Sequence, residues 1–385
     1  MAAAALSRLA YGSLSLALLY LVHHATGSYG SAGLVSGAFA AATLTAPLKS
    51  RLIDRRSPRL IVTCLACAYT TFLCGLILMA VAGTHQVGPF IPIAAAAGLT
   101  APPIGPAVRA RWAKLTADAA ELKRAYSLDV STEDLLFLVG PVLSGALLAI
   151  GGATAPMATT AGLALTGNLI FAATSNAQDK QVLRPPQAKP RPSSKARPAS
   201  SLTTTLAAVA VASLGAATVQ ISVTSKAISQ HQGPAAGYLL AITAGSSAVA
   251  GLVAGRRPAS PRVPQQLAAD LLILAGGLIG ASAVKDLYLL VLPLIVVGAA
   301  QAPILVTAYL AADQQSSEGR KAEASSWIST TWNAAGAMSV ILAGEIISHA
   351  TPTAALLIAA TLVTSTAVLA SMLNRRTGHA PEREV

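Results

Sequence analysis

Glu133 and Asp134 are two adjacent carboxylates in an otherwise apolar stretch of the chain. A charged side chain near the centre of a bilayer costs about 3 kcal/mol on insertion scales, so such a group normally faces a cavity or a partner. Removal from water favours the protonated form of a carboxylic acid. We therefore expect a proton-exchanging group here, Glu133 first and Asp134 as the alternate. In the competing interpretation both lie at the membrane surface and only pair with Arg109 or Arg111.

Enzymatic and metal chemistry is not indicated elsewhere in the sequence. Cys64-x-x-Cys67 and Cys74 share one apolar segment with no histidine or acidic residue, so they are expected to act as small hydrophobes. No phosphate-binding glycine loop with a lysine and no Ser/His/Asp or metal-ligand spacing stands out. The sequence predicts a protein that is not an enzyme and that carries no cofactor and no metal.

The elements around these residues are long apolar segments. Of the 385 residues 54% are hydrophobic and only 11% are charged. A segment of roughly 20 apolar residues spans a hydrocarbon core of about 30 Å as a helix, and these runs are too long and too apolar for barrel strands. The fold class is therefore an all-α membrane protein. Its twelve predicted transmembrane helices are 7–26, 29–48, 60–82, 88–108, 126–149, 155–175, 204–225, 233–254, 266–284, 287–311, 321–345 and 352–373.

The spans fall into two sets of six. Residues 1–175 form an N-terminal six-helix bundle and residues 204–373 a C-terminal one, joined by a basic, proline-rich linker at 176–203 and followed by a tail at 374–385. The segments Gly98–Pro103 and Gly298–Pro303 resemble each other at equivalent places in the two sets. This pattern predicts two pseudo-repeats in parallel orientation.

Basic residues follow the topology rather than a binding surface. The net charge is +12, and all 27 Lys and Arg residues except Lys226 and Lys285 fall in the tails and in alternate loops. Positive residues stay on the cytoplasmic side, so both termini are expected in the cytoplasm and the protein in a bacterial-type cell membrane. The distribution argues against nucleic-acid binding. We expect a monomer whose partners are the lipid bilayer, protons and a small-molecule substrate.

A burst of charge, Lys49–Arg59, lies between the second and third spans and is predicted to be a loop at the membrane face. Its residues resemble the signature Gly-x-Leu-x-Asp-Arg-x-Gly-Arg-Arg of the major facilitator superfamily, and the resemblance to that family extends over the whole chain. The matching or substituted positions are Ser50 for the first glycine, Leu52, Asp54, Arg55, Ser57 for the second glycine, and Arg59. The resemblance implies that this motif is a cytoplasmic gate.

The physical role of the motif would rest on Asp54. A carboxylate at the cytoplasmic mouth can face a helix N-terminus, which favours an anion by roughly 0.3–1 kcal/mol. The start of the eleventh span, 316–323, is rich in capping residues and is the expected partner. The equivalent loop 255–258 of the second half has no acid, so this contact would exist once. The alternative is that the motif only fixes the topology.

A second resemblance lies in the fifth span. Gly140, Pro141 and Gly145 are similar to the Gly-Pro-x-x-Gly-Gly end of a motif of drug–proton antiporters in this superfamily, with Ser144 replacing a glycine and Leu136 where another is expected. The resemblance implies efflux. The alternative is a packing and kink site, which Gly and Pro supply in any membrane helix.

The fourth span departs from the antiporter pattern, because many of those proteins carry an intramembrane arginine there. In this sequence Arg109 and Arg111 come only at the predicted cytoplasmic exit. Candidate residues for lining a substrate cavity are Asn168, Gln220, Gln301, Trp332 and Asn333. Each could equally make one interhelical hydrogen bond, worth about 0.6 kcal/mol on average.

Together these features predict a secondary active transporter that works by alternating access. Proton-coupled efflux of a small, amphiphilic molecule is favoured, since few intramembrane charges are available to bind a strongly charged one. Two alternatives stay open: proton-coupled uptake of a sugar or another metabolite, and a non-transporting membrane sensor or scaffold with the same fold.

Overall fold

The computed structural model describes residues 2–182, 200–258 and 263–377, and within them it is helical with no strand. The predicted all-α class is confirmed. The helices of the first half are α1 (Ala2–Thr26), α2 (Tyr29–Thr43), α3 (Ala46–Arg55), α4 (Pro58–Val81), α5 (Phe90–Thr100), α6 (Ile104–Leu115), α7 (Ala119–Gly151) and α8 (Thr154–Val182). The second half has α9 (Ser200–Ser229), α10 (Gly233–Arg256), α11 (Val263–Ala283), α12 (Val291–Gln315), α13 (Lys321–His349), preceded by a 3-10 turn (Glu318–Arg320), and α14 (Pro352–Thr377).

The helices are of membrane length. In the described part of the chain, eleven helical segments are long and apolar enough to cross a membrane, with α2 and α3 together forming one and α5 and α6 another. Helix α13 has 29 residues and corresponds to the remaining predicted span. Of the predicted linker and tail, residues 183–199 and 378–385 lie outside the described residues.

The chain divides into two compact units. The first contains Met1–Leu115, Leu135–Pro192 and Glu318–Thr330, and the second contains Thr116–Asp134, Ser193–Ser317 and Thr331–Val385. Two helices therefore contribute to both units: α7 changes unit after Asp134 and α13 after Thr330. The simpler bounds 1–175 and 204–373 remain a prediction for the domains of the protein.

The same helix pairs pack together in each half of the chain. Helix α8 packs against α1 and α4, and α5 packs against α2 and α4. In the second half α14 packs against α9 and α11, and α12 packs against α10 and α11. Fully buried side chains such as Leu73 and Phe90 in the first set and Leu271 and Val363 in the second form the cores. The predicted pseudo-repeat is thus present in the packing.

The repeated segments Gly98–Pro103 and Gly298–Pro303 owe their likeness to close helix contacts. A Cβ atom at Gly98 would collide with the backbone of Phe39 in α2, and one at Gly298 with the backbone of Thr243 in α10. Both glycines let two helices of the same unit approach each other. Because Gly98 and Gly298 are equivalent, their contacts also make Phe39 of α2 equivalent to Thr243 of α10.

The charged segment Lys49–Arg59 is mostly helix, which corrects the predicted loop. Helix α3 continues to Arg55, and only Arg56 and Ser57 separate it from Pro58 at the start of α4. The physical reason is that serines stand at both glycine positions of the motif, and no helix-breaking residue occurs before Pro58. Proline suits the first position of a helix, so α4 begins there.

The fourth span is broken in the middle. Helix α5 ends at Thr100 and α6 begins at Ile104, with Pro102 and Pro103 in the gap. Prolines lack an N–H and bias the preceding residue away from the helical region; Ala101 accordingly has ψ 118°. At the equivalent place in the second half the single Pro303 lies inside an unbroken α12.

Candidate functional site

The carboxylate of Asp54 caps the start of α13. Its Oδ1 accepts a hydrogen bond from the backbone N–H of Ala322 at 3.3 Å, and its Oδ2 accepts one from Glu323 at 3.0 Å. The first N–H groups of a helix have no intrahelical partner, and an N-cap side chain usually satisfies them. Here a side chain of α3 does so. The predicted contact is therefore present, while its role as a gate stays a prediction.

Further charges surround this cap. Arg320 binds the carboxylate of Glu323, and its Nε lies 3.0 Å from Oε2. Nε of Arg51 in α3 lies 4.0 Å from the same oxygen. The hydrogen bonds that Arg320 donates to the Glu323 carboxylate raise the pKa of Arg320 above its ordinary value. Glu323 itself is buried, with 8% of its surface exposed. Two acids and two arginines thus join α3 to the start of α13.

The other predicted motif residues take different positions. Ser50 is fully buried on α3, whereas Arg55, Ser57 and Arg59 are exposed. Arg51 was not predicted as a site residue because the family signature leaves its position open; the signal was its place one helical turn before Arg55. The structure therefore brings Asp54 and Arg51 of this segment into contact with α13, and Arg55 close enough to interact electrostatically with Glu323.

Helix α7 starts with a cap of its own. Asp118 Oδ1 accepts hydrogen bonds from the N–H groups of Ala120 and Glu121, both at 2.8 Å. Helices α7 and α13 occupy equivalent places in the two halves, so the caps at their starts can be compared directly. One helix is capped by the residue just before it and the other by a distant segment, so only α13 has a cap that could be released by moving another helix.

Asp134 lies near the middle of α7 and is hydrogen-bonded to α10. Its Oδ2 accepts a hydrogen bond from Ser247 Oγ at 2.7 Å, and Ser247 is buried. Fifteen residues separate Asp134 from the start of α7, which is about 22 Å along the helix axis. The described hydrogen-bond partner of this carboxylate is thus the neutral hydroxyl of Ser247.

The same face of α7 carries further hydroxyl contacts to α10. Ser127 Oγ donates to the carbonyl of Gly251 at 2.6 Å, and Ser131 Oγ donates to that of Ala248 at 2.9 Å. A Cβ on Gly251 would collide with Ser131. Small residues and hydroxyls therefore hold α7 close to α10, and Asp134 lies at the end of this row.

Glu133 is partly buried and close enough to Asp134 for the two carboxylates to interact electrostatically. The sequence ranked Glu133 first. In the structure Asp134 accepts the interhelical hydrogen bond from Ser247. Which of the two carboxylates exchanges protons stays a prediction.

The glycine motif of the fifth span is a helix crossing. Gly140 lies against the backbone of Gly12 in α1, where any Cβ would clash, and Ser144 Oγ donates to the carbonyl of Ser13 at 2.9 Å. Gly145 faces open space, and Pro141 lies inside α7. Close packing thus accounts for Gly140, which was the alternative to the antiporter interpretation.

The predicted cavity residues differ widely in exposure. Asn168 on α8 is fully buried in the first unit. In the second unit Trp332 packs against the core and its carbonyl accepts a hydrogen bond from Ser213 Oγ at 2.6 Å. Gln301 is partly buried, and Gln220 and Asn333 are exposed. Their role in binding a substrate stays a prediction.

Two further charged residues have polar partners inside helices. Arg109, predicted at the exit of the fourth span, is 1% exposed within α6 and donates through Nη1 to Ser329 Oγ at 3.1 Å. Asp270 on α11 accepts a hydrogen bond from Thr307 Oγ1 at 3.4 Å and interacts electrostatically with Lys123.

The cysteines are exposed on α4 rather than buried, so their face meets the surroundings of the helix bundle. In the described part of the chain no group of three or more His, Cys, Asp or Glu side chains could hold a metal ion.

Comparison with known proteins identifies the family. A sequence profile of the Major Facilitator Superfamily matches residues 1–263, well over half of the chain. The chain belongs to the Major Facilitator Superfamily. The resemblance seen in the sequence is thereby confirmed at the level of the superfamily, whose members are transporters rather than enzymes. No curated protein matches the chain significantly.

Solved structures of Major Facilitator Superfamily transporters share the fold at low sequence identity. The human organic anion transporter MFSD10 (TETRAN) is 15% identical, with a TM-score of 0.73 over 96% of this chain and 97% of that chain. A bacterial homologue of the iron transporter ferroportin is 14% identical, with a TM-score of 0.70 over 98% of both chains. The E. coli fucose:proton symporter FucP is 13% identical, with a TM-score of 0.65 over 96% and 97%. This is a multi-pass membrane protein with a transporter fold.

Proposed function

We propose that this protein is a proton-coupled secondary active transporter that exports a small, amphiphilic molecule by alternating access. The observation that carries the proposal is the carboxylate of Asp134, held by Ser247 near the middle of a long apolar helix. A carboxylate within an apolar membrane helix is energetically costly, so such a residue normally has a function. The neutral partner of Asp134 leaves its carboxylate able to gain and lose a proton. Glu133 is the second candidate for the same role.

The inner gate of the transport cycle is proposed to be the cap that Asp54 forms on α13. Alternating access needs contacts that form in one state and break in another. The hydrogen bonds that the first N–H groups of α13 donate to the Asp54 carboxylate each contribute a modest free energy, so they can be exchanged during the cycle. The surrounding pairs of Arg51 and Arg320 with Glu323 support the same contact.

The direction of transport and the class of substrate are inferred from the sequence. Efflux is inferred from the resemblance of Gly140–Gly145 to the antiporter motif, and an amphiphilic substrate from the low content of charged residues in the apolar segments. FucP, which shares the fold, is a fucose:proton symporter, and that likeness keeps uptake as the second candidate. Both candidates place the protein in a cell membrane with its termini in the cytoplasm.

Substituting the carboxylates tests the coupling. In proteoliposomes with an imposed pH gradient and a panel of amphiphilic fluorescent dyes, we expect Asp134→Asn to abolish proton-driven transport, because the amide cannot carry a proton through the cycle. Glu133→Gln is measured beside it. Glu345→Gln is the matched control, since that carboxylate is exposed near the other end of α13 and should leave transport unchanged.

Each outcome of this experiment is informative. If transport survives in both carboxylate variants, proton coupling through α7 is wrong. Export or uptake follows from the direction of dye movement relative to the gradient in vesicles of known orientation. A protein that shows no substrate-dependent proton flux with any compound tested would instead be a sensor or scaffold.

A further inference from the structure

The break between α5 and α6 leaves backbone carbonyls without their usual partners. In an unbroken helix the carbonyl of Gly98 would accept a hydrogen bond from residue 102, but Pro102 has no N–H. The carbonyl of Ala101 leaves the helix ladder because Ala101, with ψ 118°, is outside the helical region. Carbonyl oxygens freed at interrupted membrane helices are ligands for small cations such as Na⁺ in transporters.

In this protein the ammonium group of Lys49 occupies that position. Its Nζ donates to the carbonyl of Gly98 at 3.0 Å and to that of Ala101 at 2.8 Å. The lysine is buried, with 9% of its surface exposed. It reaches the break from α3, the same short helix that carries Asp54.

The second half of the chain provides an internal comparison. The contacts of Gly98 and Gly298 align Phe39 with Thr243, and the same offset aligns Lys49 with Val253. In that half α12 runs unbroken through Pro303. A lysine therefore occurs where the span is broken, and an apolar residue occurs where it is continuous.

We propose that the break of the fourth span is a site for a monovalent cation, and that the ammonium group of Lys49 is the cation that fills it. Lys49 is then a positioning residue. It neutralises the carbonyl dipoles at the end of α5 and fixes α3, so that Asp54, about 7.5 Å further along α3, meets the start of α13. A transporter built this way holds the break together without a free alkali-metal ion.

Chemical rescue tests the proposal. Lys49→Ala removes the ammonium and leaves space, and Lys49→Met removes the charge but fills the space with an apolar chain. Thermal unfolding of the purified proteins is measured in N-methyl-D-glucamine chloride and then in ammonium or sodium chloride at equal ionic strength. We expect Lys49→Ala to unfold at a lower temperature than the native protein in the bulky cation and to regain several degrees with ammonium or sodium. The native protein and Lys49→Met should not respond to the change of cation.

The control and the contrary outcomes are as follows. Lys285→Ala removes an exposed lysine and should leave the unfolding temperature unchanged in every salt. If Lys49→Ala is insensitive to the cation, or responds no more than Lys49→Met, the cation site is wrong. The same conclusion holds if Lys49→Ala cannot be obtained folded in ammonium chloride, because the proposal requires rescue there.

The link from Lys49 to the gate rests on the proposed function, and a second readout separates the two. Dye transport by Lys49→Ala should fall in N-methyl-D-glucamine and recover with ammonium, whereas native transport should be independent of sodium. Rescue of stability without any transport in the native protein would overturn the proposed function and leave the cation site intact. Loss of transport that ammonium does not restore, with stability restored, would overturn the positioning role.

Discussion

At the N-terminus of α13 a carboxylate from a distant part of the sequence does the work of an N-cap. Asp54 accepts hydrogen bonds from two N–H groups of α13, whereas the equivalent helix α7 is capped by its neighbour Asp118. A local cap persists whatever the rest of the protein does. A cap delivered by another helix depends on the position of that helix, which suits a contact that forms and breaks.

Substitutions at Asp54 should weaken transport without affecting insertion. Asp54→Ala removes both acceptors and should cost about 0.5–2 kcal/mol at this contact, as the loss of an N-cap does. Asp54→Asn keeps one acceptor and loses the charge, so its effect should be smaller, about 0.3–1 kcal/mol. Initial transport rates in proteoliposomes are the measurement. Arg56→Gln, an exposed change in the same segment outside the motif positions, serves as control; equal rates in all three variants would show that the motif only fixes topology.

At the scale of elements, α7 depends on small side chains for its contacts. Its second part crosses α1 where Gly140 meets Gly12, and its first part lies on α10 through Ser127 and Ser131. Without a hydrophobic driving force between helices in lipid, close approach and interhelical hydrogen bonds provide the association. The Gly-Pro segment therefore has a structural function whatever else it does.

The two glycines of this segment should respond differently to a methyl group. Gly140→Ala places a Cβ against the Gly12 backbone and should destabilise the protein by about 1–3 kcal/mol, as overpacking does. Gly145→Ala meets open space and should be nearly neutral. Thermal unfolding in detergent distinguishes them. Should both variants keep native stability and lose only export, the antiporter interpretation would gain and the packing interpretation would fail.

At the scale of the whole molecule, two sets of helices repeat one packing scheme, and the charges sort by topology. Lys226, one of two basic residues on the predicted outer side, donates to the carbonyls of Ala281 and Val284 at the end of α11. A cation at a helix C-terminus is favourable there. The exception to the charge rule therefore has a local structural cause, and it does not weaken the predicted orientation.

The orientation itself can be measured by reporter fusions. A fluorescent protein that folds only in the cytoplasm should be bright when fused after Val385, and an alkaline phosphatase that is active only outside should be inactive there. Insertion of the same reporters at Gly83, in a predicted outer connection, should give the reverse result. A bright fusion at Gly83 or an active phosphatase at the C-terminus would invert the topology and place the Asp54 contact on the outer side.

The sequence determined the fold class, the number of spans and the repeat, because hydropathy, helix length and loop charge are local properties. It also identified Asp54 and the start of the eleventh span as partners, since few anions and few helix starts lie at that membrane face. It did not reveal that Lys49–Arg55 is helical, since the signature was interpreted as a loop although serines replace its glycines.

Only the tertiary structure decided which carboxylate meets Ser247 and which glycine is essential. Glu133 and Asp134 are adjacent, so their side chains point about 100° apart around the helix axis, and Asp134 is directed to Ser247. Gly140 and Gly145 are both small, yet α1 approaches only the first. In the sequence Lys49 is one more topology charge, and only the tertiary structure places the broken end of α5 beside it. Each of these outcomes depends on a neighbour that is distant in sequence, and no local pattern records its position.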